Sequence, residues 1–169
     1  RSVAERAARL AALAEPTPAK KLAALSGVPG IEPDKEWFAA ACNLTPAALA
    51  GLLDDGQFVL AGKHHNLVVA GARYGEMGDR LVESLTLHHQ QHPSEGGLQR
   101  RAARTRLGEP ISVDLFNHLQ RDLAATGRIE ADGALLRLPG FSAAFSAAEN
   151  EFWHRVTDRF EDEPPRAIV

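Results

Sequence analysis

The sequence is short of several things, and each shortage removes a class of protein. A single cysteine, Cys42, cannot form an internal disulfide, so a reducing compartment is expected. Positive charge is not in excess: 19 Lys and Arg face 22 Asp and Glu, for a formal net charge of -3. A surface that held nucleic acid all over would be basic, so any such contact should be local. No apolar run approaches the ~20 residues that a spanning helix needs, and the arginine-led start is not a signal peptide. A soluble, cytoplasmic chain with no membrane partner is the expectation. No Gly-x-x-x-x-Gly-Lys-Ser/Thr phosphate loop occurs. No catalytic constellation stands out either; Asp54-Asp55 and "FEDE" read as a helix end and a solvated stretch. With no initiator methionine and no closing element after "FEDEPPRAIV", both ends read as cut from a longer chain.

What is there favours helices. Aromatics make up only 6% of a chain that is 44% hydrophobic, so its core must be built largely from alanine, leucine and valine. Two segments share a skeleton, "LLDDGQFVLAGKHHNLVVAG" (52–71) and "LAATGRIEADGALLRLPG" (123–140). Gly56 and Gly127 each follow a leucine, Leu52 or Leu123, by four residues. Phe58 or Ile129 comes two residues later, Gly62 or Gly133 six residues later, and the segments end at Gly71 and Gly140. Such a skeleton predicts a helix stopped by a C-terminal glycine, then two short strands joined by a turn. Asp132-Gly133 signals a tight hairpin, and Lys63-His64-His65-Asn66 a longer loop. Alternation in "LLRL" puts Leu136 and Leu138 on one face.

The approach to each hairpin is also repeated. "TPAKKLAAL", "DKEWFAAAC" and "TPAALAGLL" precede the first, with Thr17, Asp34 and Thr45 as N-caps. A long helix over Glu76–Gln91, a short one over Leu98–Leu107 and "SVDLFNHLQRDLAAT", capped by Ser112, precede the second. Three helices followed by a two-stranded ribbon make a winged helix. The expected fold is mainly α with small β-hairpins, tandem winged-helix modules in an elongated arrangement. The divisions are a connecting helix (1–16), module one (17–71), module two (72–141) and the start of a truncated third module (142–169). Capping boxes run from Ser2 to Glu5 and from Ser146 to Glu149. Leu10 and Leu13 mark the apolar face of the first flanking helix, and Phe152, Trp153, Val156 and Phe160 that of the last. Trp37, Phe38, Phe116 and Trp153 read as core or inter-module packing residues. "LVVAGARYGEMGDRLVESL" leads straight from one hairpin into the next module and either fixes the angle between them or bends at Gly71, Gly75 and Gly78.

The run "HHQQHPSEGGLQRRAARTRLG", then "LFNHLQRDLAATGRIEADGALLRLPGF" and "FSAAENEFW", resembles the C-terminal region of the bacterial selenocysteine-specific elongation factor. The likeness is good over 81–153 and only general before it. It implies a GTPase, using GTP and magnesium, that delivers selenocysteinyl-tRNA to the ribosome. Its string of winged helices reaches an mRNA hairpin that recodes UGA. The resemblance makes this chain a linking segment of such a factor, non-enzymatic, cofactor-free and monomeric, with the GTPase and tRNA-binding domains elsewhere. Two other readings stay open: a tandem winged-helix DNA-binding regulator and a protein–protein adaptor.

Three histidines fall within five residues, His88, His89 and His92. His88 and His92 are a helical turn apart and could be two ligands of a metal. The favoured reading is structural: imidazoles suit the carbonyl-rich helix end that Pro93 stops, and His88 or His89 can pack under the hairpin. Four arginines then fall within seven residues, Arg100, Arg101, Arg104 and Arg106. On a helix, Arg100 and Arg104 share a face that could lie along RNA phosphates. The alternative is a solvated face paired with Glu95, Glu109 or Asp114. Lys63 and Arg137 are further RNA-contact candidates. The helix "TPAALAGLLDD" offers base edges almost nothing, and "SVDLFNHLQRDLAAT" offers Asn117, His118, Gln120 and Arg121 among acids.

Overall fold

A computed structural model of the chain describes residues 3–144 and 147–162. The Ser2 and Ser146 caps fall outside the described residues, as does the Phe160 side chain. Helix α1 (Val3–Leu13) leads into α2 (Pro18–Gly27), α3 (Lys35–Ala41), α4 (Pro46–Leu53) and the hairpin β1–β2 (Phe58–Ala61, Leu67–Ala70). There follow α5 (Gly71–Gln91), β3 (Leu98–Gln99), α6 (Arg100–Arg106), α7 (Val113–Ala125), the hairpin β4–β5 (Glu130–Asp132, Leu135–Arg137) and α8 (Ala147–Asp162). These are winged-helix modules with small antiparallel hairpins.

Local chemistry places the helix starts. Thr17, Asp34, Thr45 and Ser112 each accept a hydrogen bond from the backbone N–H three residues on, at 3.3, 2.9, 3.2 and 3.1 Å. The repeated glycines fill matching roles, with φ of 67° at Gly56 and 68° at Gly127, a left-handed conformation that suits a residue without Cβ.

Three expectations are corrected. Leu98 and Gln99 are not helical; they pair with β5 to make a three-stranded sheet of order β3–β5–β4. In module one, the single bridge between Asp34 and Leu67 occupies the equivalent place. The β4–β5 turn is Gly133-Ala134, because Asp132 already pairs with Leu135. Leu10 is 69% exposed rather than facing inward, since α1 packs through Ala12 and Leu13 instead.

The helix α5 runs unbroken through all three of its early glycines. A Cβ on Gly78 would already touch Leu123, so its smallness lets α7 lie close. There are two cores. One gathers Leu22, Leu25, Ile31, Phe38 and Val68; the other gathers Met77, Leu81, Leu85, Leu115, Leu119, Leu123 and Leu136, with Ala61 and Val69. The hairpin β1–β2 therefore belongs to both. Val68 pairs with Leu60 on the face toward the first core, and Val69 pairs with Val59 on the face toward the second. Both valines are wholly buried. Rather than alternating buried with open, "LVVA" is apolar throughout because neither face meets water.

Of the four aromatics expected inside, Phe38 and Phe116 are buried. Trp37 is 39% exposed with the Arg9 guanidinium lying over its ring, and Trp153 is 52% exposed on α8. A helix needs a partner element to bury its apolar stripe, and α8 makes no extensive packing with another described element.

Candidate nucleic-acid interface

The join between the modules is the most heavily built polar feature. Arg73 lies in the first turn of α5, buried. Its Nη2 and Nε donate to Glu109 Oε2 at 2.8 and 3.1 Å, and its Nη1 donates to the carbonyls of Ile31 at 2.9 Å and Ser26 at 3.2 Å. One guanidinium thus ties α2 and the loop after it to the α6–α7 connection. A buried pair of charges is tolerable only when its hydrogen bonds are filled. Here the fork is nearly saturated. The Ser112 N–H donates to Glu32 Oε1 at 2.7 Å beside it.

Further along, Tyr74 donates its hydroxyl to Asp122 at 2.6 Å. Burial and the nearby carboxylate push that hydroxyl's pKa far up, so it stays a donor. His118 packs edge-on against His65 of the β1–β2 loop and against Tyr74. Burial holds His118 below the ordinary histidine pKa, with Asp122 opposing. One flank of α7 is consequently covered by the first module's hairpin. Neither Arg73 nor Tyr74 was singled out from the sequence, and Glu109 was weighed only as a partner for the arginine cluster. A cation in the first turn of a helix, where the dipole prefers acids, was the available signal.

The histidine group is structural in its contacts. The Leu138 N–H donates to His89 Nε2 at 3.1 Å, which makes that ring neutral with its proton on Nδ1. Its face stacks on Phe141 at 3.5 Å between centroids. Burial and neighbouring His88 keep the His89 pKa below its ordinary value. The Nε2 of His88 lies 3.2 Å from the Gly97 carbonyl and 3.3 Å from Glu95, while His92 Nδ1 lies 3.3 Å from the same carboxylate. Facing two acceptors, His88 Nε2 must donate and has no lone pair left for a metal. Among the described residues, no group of three or more His, Cys, Asp or Glu could hold a metal ion.

The arginines do not share one patch. Arg100 lines a cleft of about 430 Å³ with Lys63 from the β1–β2 loop and Asn117, Gln120 and Arg121 from α7. Arg104 lines a groove beside Glu109 and Pro110, and Arg106 one beside Arg80 and Glu83 of α5. Arg101 is exposed away from all three. Of the acids weighed as their partners, Glu109 is engaged with Arg73 and Arg80 and Glu95 lies beside His88 and His92, while Asp114 lines the same cleft as Arg100. Arg137 is neutralised by Glu130 at 2.8 Å and Asp132 at 3.7 Å. Its hydrogen bond to Glu130 raises its own pKa and lowers that of the carboxyl.

In module one, α4 presents Pro46, Ala47, Ala48, Ala50 and Gly51 to solvent, which gives base edges no partner. Among the described residues, no helix is long and apolar enough to cross a membrane. No curated protein matches the chain. Residues 82–138, from within α5 to just past β5, do match the family described as elongation factor SelB, winged helix. That match supports a winged-helix domain of the SelB type over these residues of the second module.

Proposed function

We propose that these modules form the stiff link between two distant tasks of a selenocysteine-specific elongation factor. One task is carrying selenocysteinyl-tRNA on the GTPase; the other is recognising the mRNA hairpin that recodes UGA. In this reading the segment is non-enzymatic and needs no cofactor. GTP, magnesium and the tRNA act on domains elsewhere, and the mRNA hairpin and the ribosome are met by the parent protein. The divisions at residues 16, 71 and 141 then separate connecting helix, first module, second module and the opening of a third.

The observation that carries the proposal is the Arg73 tie, which joins both modules through Glu109, Ser26 and Ile31. A spacer that must hold two sites at a set distance needs this kind of junction, whereas a flexible tether does not. A DNA-binding regulator is less well supported, because one flank of α7 is covered and α4 is bare of polar side chains. The test uses a full-length factor carrying this segment, with the two modules replaced by a Gly/Ser linker of equal span. UGA recoding should collapse while hairpin binding persists. Undiminished recoding would refute the coupling role.

A further inference from the structure

The cleft beside α7 has features that a linking role does not require. Three cations converge on it, Lys63, Arg100 and Arg121, against a single acid, Asp114. Among the described residues, Lys63 and Arg100 have no ion-pair or side-chain hydrogen-bond partner, and the one such bond of Arg121 goes to the Asn117 carbonyl at 3.2 Å. Arg80, Arg128 and Arg137 are matched by carboxylates. The other arginines of the cluster, Arg101, Arg104 and Arg106, are without a carboxylate partner among the described residues but do not converge on one concavity. Leaving three unmatched cations around one concavity favours an anionic visitor.

A second observation narrows the visitor. Gln120 lines the same cleft, yet it is only 4% exposed. Its Nε2 donates to the Phe116 carbonyl at 3.3 Å, which fixes the other end of the amide as the acceptor. That Oε1 is buried and has no hydrogen-bond partner. An unpaired buried acceptor is costly and calls for a donor from outside. An acidic peptide would answer the cations with carboxylates and could donate to Gln120 only through its backbone N–H groups, which an extended strand spends on its own pairing. A nucleic-acid strand brings phosphates, and in RNA every nucleotide adds a 2′-hydroxyl that can donate whatever its base.

We propose that the cleft between the β1–β2 loop and α7 is a sequence-tolerant binding site for an RNA strand. Its phosphates lie on Lys63, Arg100 and Arg121, and a ribose hydroxyl donates to Gln120 Oε1. The site uses the first module's loop and the second module's helix together, so it exists only in the joined pair. Because the coupling role stands on Arg73, either idea can fail without the other.

The test is fluorescence anisotropy of the 169-residue chain with a short labelled single-stranded RNA and with DNA of the same sequence. RNA should bind more tightly than DNA. Replacing Lys63, Arg100 and Arg121 by serine should weaken RNA binding at least about tenfold and flatten its log–log salt slope by about two. Replacing Arg101, Arg104 and Arg106 by serine, an equal loss of charge off the cleft, should change affinity less than about twofold. Gln120→Met should reduce the preference for RNA over DNA while leaving the salt slope intact, with thermal melting confirming the fold. Equal loss in the two triple variants, equal binding of RNA and DNA, or an unchanged preference in Gln120→Met would each overturn the proposal.

Discussion

Arg73 and Glu109, 36 positions apart along the chain, meet at 2.8 Å with side chains only 6% and 5% exposed. The pair sits where the end of α2, the start of α5 and the α6–α7 connection converge. Three segments that share no local sequence logic are held in one geometry by a single fork of N–H groups.

Arg73→Met should therefore destabilise the chain by about 3–5 kcal/mol, because it leaves the buried Glu109 with only the looser Arg80 contact at 3.9 Å. Adding Glu109→Leu should recover only part of the loss, since the carbonyls of Ser26 and Ile31 remain without their donor. Urea denaturation of the two variants checks this. A loss below about 1 kcal/mol for Arg73→Met would mean that water replaces the fork at little cost.

Histidine titration gives a second expectation. His89 and His118 both have pKa values held below the ordinary 6.5, chiefly by burial. A group depressed on folding resists protonation, so the stability it contributes is complete above that value and is lost as the pH falls through it toward the folded-state pKa. Protonating His89 would also cost the Leu138 N–H its acceptor. His89→Gln, which keeps a carbonyl acceptor, should show a shallower loss of stability between neutral and mildly acidic conditions. Denaturation midpoints across that range decide the matter.

The glycine repeat makes a paired prediction. Gly56→Ala and Gly127→Ala should each cost about 1–2 kcal/mol, since both adopt left-handed backbone conformations. Gly75→Ala should instead stabilise by about 0.5–1 kcal/mol, because it lies inside α5 with open space where a methyl would go. Thermal melts of the three variants measure this, and a cost at Gly75 would contradict the open helix surface.

Val68 and Val69 offer a test of unity. Each valine-to-alanine change removes about 2 kcal/mol of apolar burial, one from each core. If the modules unfold together, both variants should lower one and the same transition. Hydrogen exchange at Leu22 and at Leu119 should then rise in parallel in either variant. Protection lost on one side only would divide the molecule.

Much of this arrangement was legible in the sequence, and the reason is locality. Thr17, Asp34, Thr45 and Ser112 cap helices through atoms three residues away. The glycines punctuate the hairpins by their own backbone preference. What escaped depends on partners distant in the chain. Leu98-Gln99 is a strand only because β5 lies beside it. Arg73 carries no local signal of its partner, because Glu109 lies 36 positions further along the chain. The four arginines looked like one patch because spacing gives no account of what surrounds a short helix. Lys63 and Arg100 were both singled out as RNA contacts, but their common cleft with Gln120 appears only once the first hairpin lies against α7.

The two-sided burial of β1–β2 also bears on how such a chain can change over time. Strand side chains alternate, so inserting or deleting one residue in β2 would send Val68 toward Met77 and Val69 toward Phe38. Both interiors would be spoiled by a single edit, and no repair within one of them would suffice. The ribbon is keyed like a splined shaft: the segment between Leu67 and Ala70 tolerates only substitution.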